Sequence, residues 1–332
     1  MSGAGVLGGA GPVTSVAVVG LGLIGGSIAR ALAGQGLAVS GYDAAPGTRQ
    51  AAAAEGIQVA GDVAELCAAA PDLLVLAVPL RAMRATAGAV ARCLCPGTLV
   101  TDVGSVKAAV REEMIAAGLR GRYVGAHPMF GTQYAGFAAS DPAAAMGVAW
   151  ALTLDDGAGA DQVRAVLGLV TGALRGRVFV LADDVHDEAV ALISHVPHVL
   201  ATELLSLVAA APVRNVALAL AAGSFRDGTR VARTDPRRTE AMVAGNAPWV
   251  ASTLRLVIRD LEQLVEALET NVAVSDFFDR PGSVRGAGSW VAGTPFTQAL
   301  VGNWRAELMA AGARGCAVVG VDWVSGDLLL VR

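Results

Sequence analysis

The chain has 332 residues, of which 54% are hydrophobic and 16% are charged. This composition is far too apolar for a disordered chain, and the length is sufficient for two domains of ordinary size. The formal net charge of −4 leaves no diffuse basic field that could hold nucleic acid or an anionic membrane surface. Composition and charge therefore favour a folded protein with small-molecule partners.

The cysteines and the N-terminal residues indicate the cellular compartment of the protein. Cys93 and Cys95 are separated by one residue, which is too close for a CxxC redox or zinc pair, and the four cysteines do not form a disulfide framework. Free thiols are typical of a reducing compartment. Residues 1–29 lack the basic segment that begins an export signal. We therefore expect a soluble, cytoplasmic protein.

The first half of the chain alternates β-branched runs with helical patterns, which predicts an open, mostly parallel α/β sheet. Asp72–Val78 is a continuous apolar run, as expected for a strand that is buried on both faces of a parallel sheet. The other predicted strands are Ser15–Gly20, Ala38–Asp43, Thr98–Val103, Arg122–Ala126, Val148–Leu154 and Arg177–Leu181. Two of the intervening helices are predicted at Ile24–Ala33 and Ser105–Ala117.

Long helical patterns replace the strands after about Asp183. Ala189–Ala210 predicts one helix with a kink at Pro197, and Ala247–Leu268 predicts another with an apolar face. Asp279–Gly288 is rich in Gly, Arg and Pro and predicts a loop. We predict an α/β domain over residues 13–182, an all-helical domain over 183–280, and a C-terminal tail over 281–332 whose structure the sequence leaves open.

A glycine motif occurs early and in the right structural context. Gly20-Leu-Gly22-Leu-Ile-Gly25 follows a predicted strand and opens a helix, as in a Rossmann dinucleotide-binding domain. The helix N-terminus offers unpaired N–H groups to a pyrophosphate. Asp43 ends the next strand, where a carboxylate accepts hydrogen bonds from ribose hydroxyls and favours NAD over NADP; a turn residue is the alternative. The predicted cofactor site consists of Gly20, Gly22, Leu23, Ile24, Gly25, Asp43 and Val78.

Two further strands end in polar residues that could carry chemistry. His127 follows the strand that ends in Ala126, and the carboxyl ends of strands face the ligand crevice in open α/β folds. A neutral imidazole there could accept a proton from a substrate hydroxyl, although it could also only orient its own loop. Ser105 in the preceding turn is a second candidate, with a helix N-cap as its alternative. For Lys107, a solvated side chain is an equal alternative to a role in this site.

The remaining histidines and one arginine-rich segment lie in the helical region. Ser194 and His198 are four residues apart and share a helix face. His195 and His198 lack a third clear ligand, so we expect no metal site. His186 is predicted to lie at the surface or at the domain boundary. In the segment Phe225–Arg230, an arginine could hold a substrate carboxylate, and Asp227 could orient it or meet a cationic substrate group.

The motifs GLGLIGGS, DVGSVK, AHPMFGT, SHVPH and FRDGTR, in this order, resemble the prephenate/arogenate dehydrogenase family of tyrosine biosynthesis over roughly residues 15–280. The resemblance implies a Rossmann domain followed by a helical dimerisation domain, an intertwined homodimer, and an active site between the domains. It implies that His127 assists catalysis at the ring hydroxyl and that Ser105 fixes this hydroxyl. It also implies that Arg230 binds a substrate carboxylate, while Ser194 and His198 line the substrate pocket.

The implied reaction is an NAD-dependent oxidative decarboxylation of a prephenate-like dicarboxylate, driven by aromatisation of the ring. Two departures from the family pattern bear on the substrate. Gln133 stands where many members carry an acidic residue, and Thr239 stands where a tryptophan is expected, after an unusually basic Arg237–Arg238 pair. A neutral Gln133 offers no charge partner to the ammonium of arogenate, so we favour prephenate.

Alternatives remain within and beyond this family. Asp227 keeps arogenate open as the substrate, and an amino analogue of prephenate is a third choice. A β-hydroxyacid type of dehydrogenase would place a catalytic lysine in the second domain, but no lysine follows Lys107. A non-catalytic NAD(H)-sensing dimeric module is the alternative from another class of protein. The tail does not resemble a regulatory ACT domain.

Overall fold

A computed structural model describes residues 11–282, 284–285 and 292–332, and its first half alternates strands and helices as predicted. The strands are β1 Ser15–Val19, β2 Ala38–Tyr42, β3 Gln58–Val59, β4 Leu73–Leu76, β5 Leu99–Asp102, β6 Tyr123–Pro128, β7 Ala149–Thr153, β8 Arg177–Leu181, β9 Pro295–Gln298, β10 Ala317–Val321 and β11 Leu328–Val331. The helices of the first part are α1 Leu23–Gly34, α2 Pro46–Ala54, α3 Val63–Ala68, α4 Leu80–Cys93, α5 Ala108–Ala116 and α6 Ala160–Gly168.

The first six strands form a parallel sheet in the order β3-β2-β1-β4-β5-β6. This is the doubly wound Rossmann order, which reverses between β1 and β4 and leaves a crevice at the carboxyl ends of these strands. All four residues of β4 are buried because helices cover both faces of the sheet, which explains its uninterrupted apolar sequence. The predicted α/β fold class is confirmed.

The sheet continues beyond β6 with β7 and β8 and then with strands from the C-terminal segment. β7 runs antiparallel to β6, and β8 runs parallel to β7. The C-terminal segment then returns to this edge, where β10 pairs with β8, and β11 and β9 follow in antiparallel order. Helix α14, Trp304–Ala313, packs on β8 so closely that a β-carbon at Gly312 would stand 1.9 Å from the carbonyl oxygen of Val180. The segment that the sequence left unplaced therefore extends the sheet of the first domain.

The region after β8 is helical, as predicted. Its helices are α7 Asp183–Val190, α8 Val196–Ala210, α9 Arg214–Ala219, α10 Gly223–Thr229, α11 Pro236–Gly245, α12 Ala247–Glu269 and α13 Ser275–Asp279. The single kinked helix predicted over Ala189–Ala210 is instead interrupted by a π-helical turn, Ala191–His195, and Pro197 lies in the first turn of α8. Proline, which has no backbone N–H, is tolerated in the first turn of a helix because an N–H there would have no intrahelical partner. The loop predicted at Asp279–Gly288 lies partly outside the described residues.

Buried polar contacts join the two regions. The guanidinium of Arg111 on α5 forms ion pairs with Asp183, at the start of α7, and with Asp155. The carboxylate of Asp187 on α7 accepts the backbone N–H groups of Lys107 and Ala108 at 2.9 and 3.0 Å. Helix α5 therefore begins at Ala108 rather than at Ser105, because its N-terminus is capped from the other domain and not by the local serine.

Candidate active site

A cleft of about 740 Å³ opens at the carboxyl ends of β1, β2, β4, β5 and β6, and residues of α11 in the helical region also line it. Pockets of this size are typical of small-molecule and cofactor sites. Residues predicted for cofactor binding and for catalysis meet in it, although they come from separate segments of the sequence. The predicted residues that line the cleft are Gly20, Gly22, Leu23, Ile24, Asp43, Val78, Ser105 and His127.

The glycine turn between β1 and α1 is shaped by close backbone contacts. Gly20 has a φ of +95°, which strains any residue with a side chain. A β-carbon at Gly25 would stand 1.9 Å from the carbonyl oxygen of Gly20, so position 25 supports the turn although it does not line the cleft. Nothing lies within 4 Å of where a β-carbon of Gly22 would stand. The turn thus leaves exposed backbone at the N-terminus of a 12-residue helix, as a dinucleotide pyrophosphate requires.

Asp43 lies beside this turn at the end of β2. Its two carboxylate oxygens accept the backbone N–H groups of Leu21 and Ala45, both at 2.9 Å. These bonds fix the side chain at the cleft, and each carboxylate oxygen keeps a further lone pair for a ligand hydroxyl. Arg49 instead donates to the carbonyl oxygen of Asp43 and lies over the ring of Tyr42. The residues present therefore fit the ribose of a bound dinucleotide.

A buried ion pair holds the ends of β5 and β6 together. Lys107 is fully buried, and its ammonium contacts the carboxylate of Asp102 and donates to the carbonyl oxygen of Ala126 at 2.7 Å. The other oxygen of Asp102 accepts the hydroxyl of Tyr123 at 2.7 Å. The solvated alternative for Lys107 is wrong, since this lysine instead fixes the residue that precedes His127.

His127 stands at the end of β6, half-buried, between the cleft and the helical region. Its Nδ1 lies 2.9 Å from Nε2 of His186, and Nδ1 of His186 lies 2.7 Å from the carboxylate of Asp187. Burial, with the neighbouring His186, Lys107, His195 and Arg238, lowers the pKa of His127 well below 6.5. His127 is therefore a neutral imidazole at neutral pH, which is the form that accepts a proton.

Sequence reasoning missed several residues around His127. His186 was predicted at the surface or at the domain boundary; it is 1% exposed, so only the boundary position agrees with the structure. Asn246 donates to the carbonyl oxygen of Asp187 at 2.7 Å and hydrogen-bonds His195, and burial lowers the pKa of His195 to about 4. The adjacent His186–Asp187 pair was the one local signal available. Partners that lie far away in the chain have no local sequence pattern.

The predicted substrate-binding residues lie elsewhere in the described structure. Arg230 and Asp227 are exposed on the helical region and do not line the cleft. The cleft lining also lacks Ser194, His198 and Gln133, which were predicted to bind the substrate. His198 Nδ1 hydrogen-bonds the carbonyl oxygen of Ser194 at 2.8 Å, so these two are neighbours as predicted from their spacing. None of these five residues lines the cleft that His127 lines.

Arginines of α11 line the cleft instead. These are Arg237 and Arg238, and the guanidinium of Arg238 donates to the carbonyl oxygen of Thr132 at 3.4 Å. Among the described residues, no carboxylate forms an ion pair with either of these arginines. Two cationic groups on one wall favour an anionic ligand.

Comparisons with known proteins agree with this architecture. Residues 28–195 match the family described as prephenate dehydrogenase, nucleotide-binding domain, and residues 183–279 match prephenate dehydrogenase, dimerization domain. A cyclohexadienyl dehydrogenase from Zymomonas mobilis is 34% identical over 76% of this chain and 88% of its own length.

Two solved structures share the fold over most of the chain. Prephenate dehydrogenase from Aquifex aeolicus, in complex with hydroxyphenyl propionate and NAD+, has a TM-score of 0.74 and 26% identity over 82% of this chain and 97% of its own. Arogenate dehydrogenase from Synechocystis has a TM-score of 0.70 and 25% identity over 82% of this chain and 98% of its own. The chain therefore belongs to the prephenate/arogenate dehydrogenase family, and NAD is its cofactor.

Proposed function

We propose that this protein catalyses the NAD-dependent oxidative decarboxylation of prephenate to 4-hydroxyphenylpyruvate and CO2, with formation of NADH. The observation that supports this most strongly is the single cleft in which the glycine turn, Asp43, Ser105 and His127 meet. When bound, NAD supplies the oxidant for the ring carbon that bears the hydroxyl.

The residues of the chain have separate tasks in this proposal. The backbone at Gly20 and Gly22 holds the pyrophosphate, and Asp43 holds the ribose. Ser105 fixes the ring hydroxyl, and His127 accepts its proton as the carbonyl forms. Because loss of CO2 makes the ring aromatic, the protein has mainly to orient the substrate, exclude water and provide this one base.

The charges in the cleft favour prephenate over arogenate. Arg237 and Arg238 suit the carboxylates that both substrates carry, but they oppose the ammonium that only arogenate has. Of the two carboxylates that line the cleft, Asp43 is assigned to the ribose, and Asp235 caps α11 by accepting the N–H of Arg237. Three alternatives remain. The substrate is arogenate, or it is another amino analogue of prephenate, or the protein is a non-catalytic NAD(H)-sensing module.

An assay of initial rates separates these functions. NADH absorbance is followed with prephenate or arogenate at matched concentrations, with NAD and then with NADP. We expect a higher kcat/KM with prephenate and with NAD. A preference for arogenate would replace the proposed substrate within the same family. NADH binding without turnover of either substrate would reject the enzymatic function in favour of a sensing module.

The glycine turn provides a test of the cofactor site that does not depend on catalysis. Replacing Gly22 with alanine is expected to leave the stability of the ligand-free protein nearly unchanged, because the new methyl group enters open space. The same methyl would stand where the pyrophosphate must approach, so we expect the Kd for NADH to rise at least about tenfold. Fluorescence titration measures the Kd, and thermal unfolding measures stability.

Gly25→Ala is the matched comparison for this turn. Its methyl would collide with the carbonyl oxygen of Gly20, so this variant is expected to lose stability as well as NADH affinity. An unchanged Kd for NADH in Gly22→Ala would show that the dinucleotide does not cross the turn at this point.

Two arginines are proposed as partners for the two carboxylates of prephenate. Arg230 is the partner that the family resemblance implies, and Arg238 lies in the cleft near His127. Arg238→Ala and Arg230→Ala are each expected to raise KM for prephenate by about 10- to 100-fold with little change in kcat, as for a lost charge-assisted hydrogen bond. Arg226→Ala changes an equally exposed arginine on α10, the helix that ends just before Arg230, and is the control. A KM that stays constant removes that arginine from the substrate site.

We further propose a homodimer that forms through the helical region. Large apolar side chains are exposed along α8 and α12, namely Leu200, Leu204, Leu207, Leu256, Leu261, Val265 and Leu268. Contiguous apolar surface of this kind marks an interface. Sedimentation velocity is expected to show a dimer at micromolar concentration, and Leu207→Glu with Leu261→Glu is expected to shift it toward monomer. A wild-type monomer would contradict this proposal.

One long apolar stretch of helix bears on the cellular location of the protein. Asp183–Ala210 is long and apolar enough to cross a membrane, judged by length and composition alone. Within the fold, this stretch carries the buried polar residues His186, Asp187 and His195. Its other face contributes to the proposed dimer interface. We therefore propose a cytoplasmic location.

A further inference from the structure

A continuous chain of hydrogen bonds runs from His127 into the protein interior, away from the cleft. Nδ1 of His127 lies 2.9 Å from Nε2 of His186, and Nδ1 of His186 lies 2.7 Å from Oδ1 of Asp187. His186 is 1% exposed and Asp187 is 2% exposed, so water does not compete for these bonds. The proposed function assigns no task to either residue.

The contacts of Asp187 identify it as the fixed end of this chain. Burial would raise its pKa, but the hydrogen bond from His186 and the backbone N–H groups of Lys107 and Ala108 outweigh burial, so the pKa lies below its usual value. These N–H groups belong to the first turn of α5, whose partial positive charge also favours a carboxylate. Asn246 holds the backbone of the same residue by donating to its carbonyl oxygen. Asp187 is therefore an ionised acceptor held from three directions.

An ionised carboxylate beside a neutral His186, which is the premise of this inference, sets where the protons lie on both rings. A carboxylate can only accept, so Nδ1 of His186 carries a proton. Nε2 of a neutral His186 then carries a lone pair, so it accepts a hydrogen bond from Nδ1–H of His127. Nε2 of His127 is left with a lone pair. Because Nδ1 of His127 faces His186, this lone pair lies on the opposite side of the ring, toward the cleft.

We propose that Asp187 and His186 are positioning residues that hold His127 as its Nδ1–H tautomer, with Nε2 available to accept a proton in the cleft. This inference rests on the proposed function only for the identity of the proton donor, the substrate hydroxyl. In the step, the O–H proton moves to Nε2 of His127 and the electron pair of that bond stays on oxygen as the carbonyl forms. No proton has to leave Nδ1, and Asp187 stabilises the resulting imidazolium through His186.

Asp187→Asn tests this assignment. Oδ1 of Asp187 accepts from both Nδ1 of His186 and the N–H of Lys107, whereas Oδ2 accepts only the N–H of Ala108, so the amide oxygen of asparagine takes the place of Oδ1. Both rings then keep their tautomers, but the negative charge that stabilises the imidazolium of His127 through His186 is lost. We expect kcat to fall by about 10- to 100-fold, as for a lost charge-assisted hydrogen bond, with KM changed less than threefold. NADH titration and thermal unfolding verify that the variant is folded.

A pair of variants at His186 separates positioning from packing. His186→Gln can present its amide oxygen to Nδ1–H of His127, so we expect it to keep kcat within about tenfold of the wild type. His186→Leu has a similar volume but no acceptor, and we expect a loss of about 10²-fold or more. Equal loss of kcat in both variants would overturn the proposal, because packing alone would then explain it.

Nitrogen NMR of the protein labelled with ¹⁵N-histidine gives a readout that needs no substrate. The expected spectrum of the wild type shows Nδ1–H on neutral His127 and on neutral His186, and His186→Leu, which lacks the acceptor, shows His127 without this fixed Nδ1–H tautomer. A wild-type His127 that is protonated at Nε2, or a doubly protonated His186, would overturn the proposal. Because the tautomer is read without turnover, this result stands even if neither prephenate nor arogenate is a substrate.

Discussion

Replacing His127 with asparagine is expected to lower kcat by about 10²–10⁴-fold, the usual range for loss of a general base. The asparagine amide nitrogen can take the place of Nδ1 and still donate to His186, so the local packing is kept. What disappears is the neutral Nε2 that accepts the substrate proton. Steady-state rates with prephenate and NAD measure this loss, with the KM for prephenate expected to change little.

The controls for His127→Asn concern binding and folding. The Kd for NADH and the midpoint of thermal unfolding should match those of the wild type, because neither the glycine turn nor Asp43 is altered. A kcat equal to that of the wild type would remove His127 from the mechanism and would leave Ser105 as the remaining polar residue of the catalytic pair.

Replacing Lys107 with methionine is expected to lower the free energy of unfolding by about 3–5 kcal/mol. The new side chain fills a similar volume, but it leaves the buried carboxylate of Asp102 without its cation and the carbonyl oxygen of Ala126 without a donor. An uncompensated charge in the interior is far more costly than a lost surface pair. Urea unfolding monitored by circular dichroism measures the change.

Two comparisons make the result specific to the buried pair. Arg84→Met removes an ion pair with Glu113 whose arginine is 79% exposed, and its effect should stay below about 1 kcal/mol. The double variant Lys107→Met, Asp102→Asn should regain part of the lost stability because the uncompensated charge is gone. A loss below about 1 kcal/mol in Lys107→Met would contradict the interpretation of Lys107 as an essential buried partner.

Local patterns in the sequence were sufficient for seven strands of the sheet, β1, β2 and β4 to β8, and for part of the site. Strand β4 is recognisable because a strand that is covered on both faces must be apolar throughout. The glycine turn and Asp43 are recognisable because the backbone geometry of a dinucleotide site demands glycine and a carboxylate at a known spacing. His127 and Ser105 follow from the rule that the carboxyl ends of parallel strands meet at one edge.

Such local patterns could not predict how the C-terminal strands pair. β9, β10 and β11 join the edge of the sheet next to β8, more than 100 residues away in the chain. Their pairing depends on an open edge that only the folded first domain presents. A periodic pattern in the sequence predicts that a segment is a strand, but it does not predict which strand that segment pairs with.

The amino-acid sequence by itself determined the Rossmann order of elements, the glycine turn, the helical second region and the histidine that we propose as the base, because each depends on residues close together in the chain. Only the tertiary structure decided that Lys107 is buried against Asp102, that His186 and Asp187 support His127, and that Arg238 rather than Arg230 lines the cleft. His186 lies 59 residues from His127, and Asp187 lies 80 residues from Lys107. Burial and hydrogen bonding at such separations are properties of packing between domains, and packing leaves no local period in a sequence.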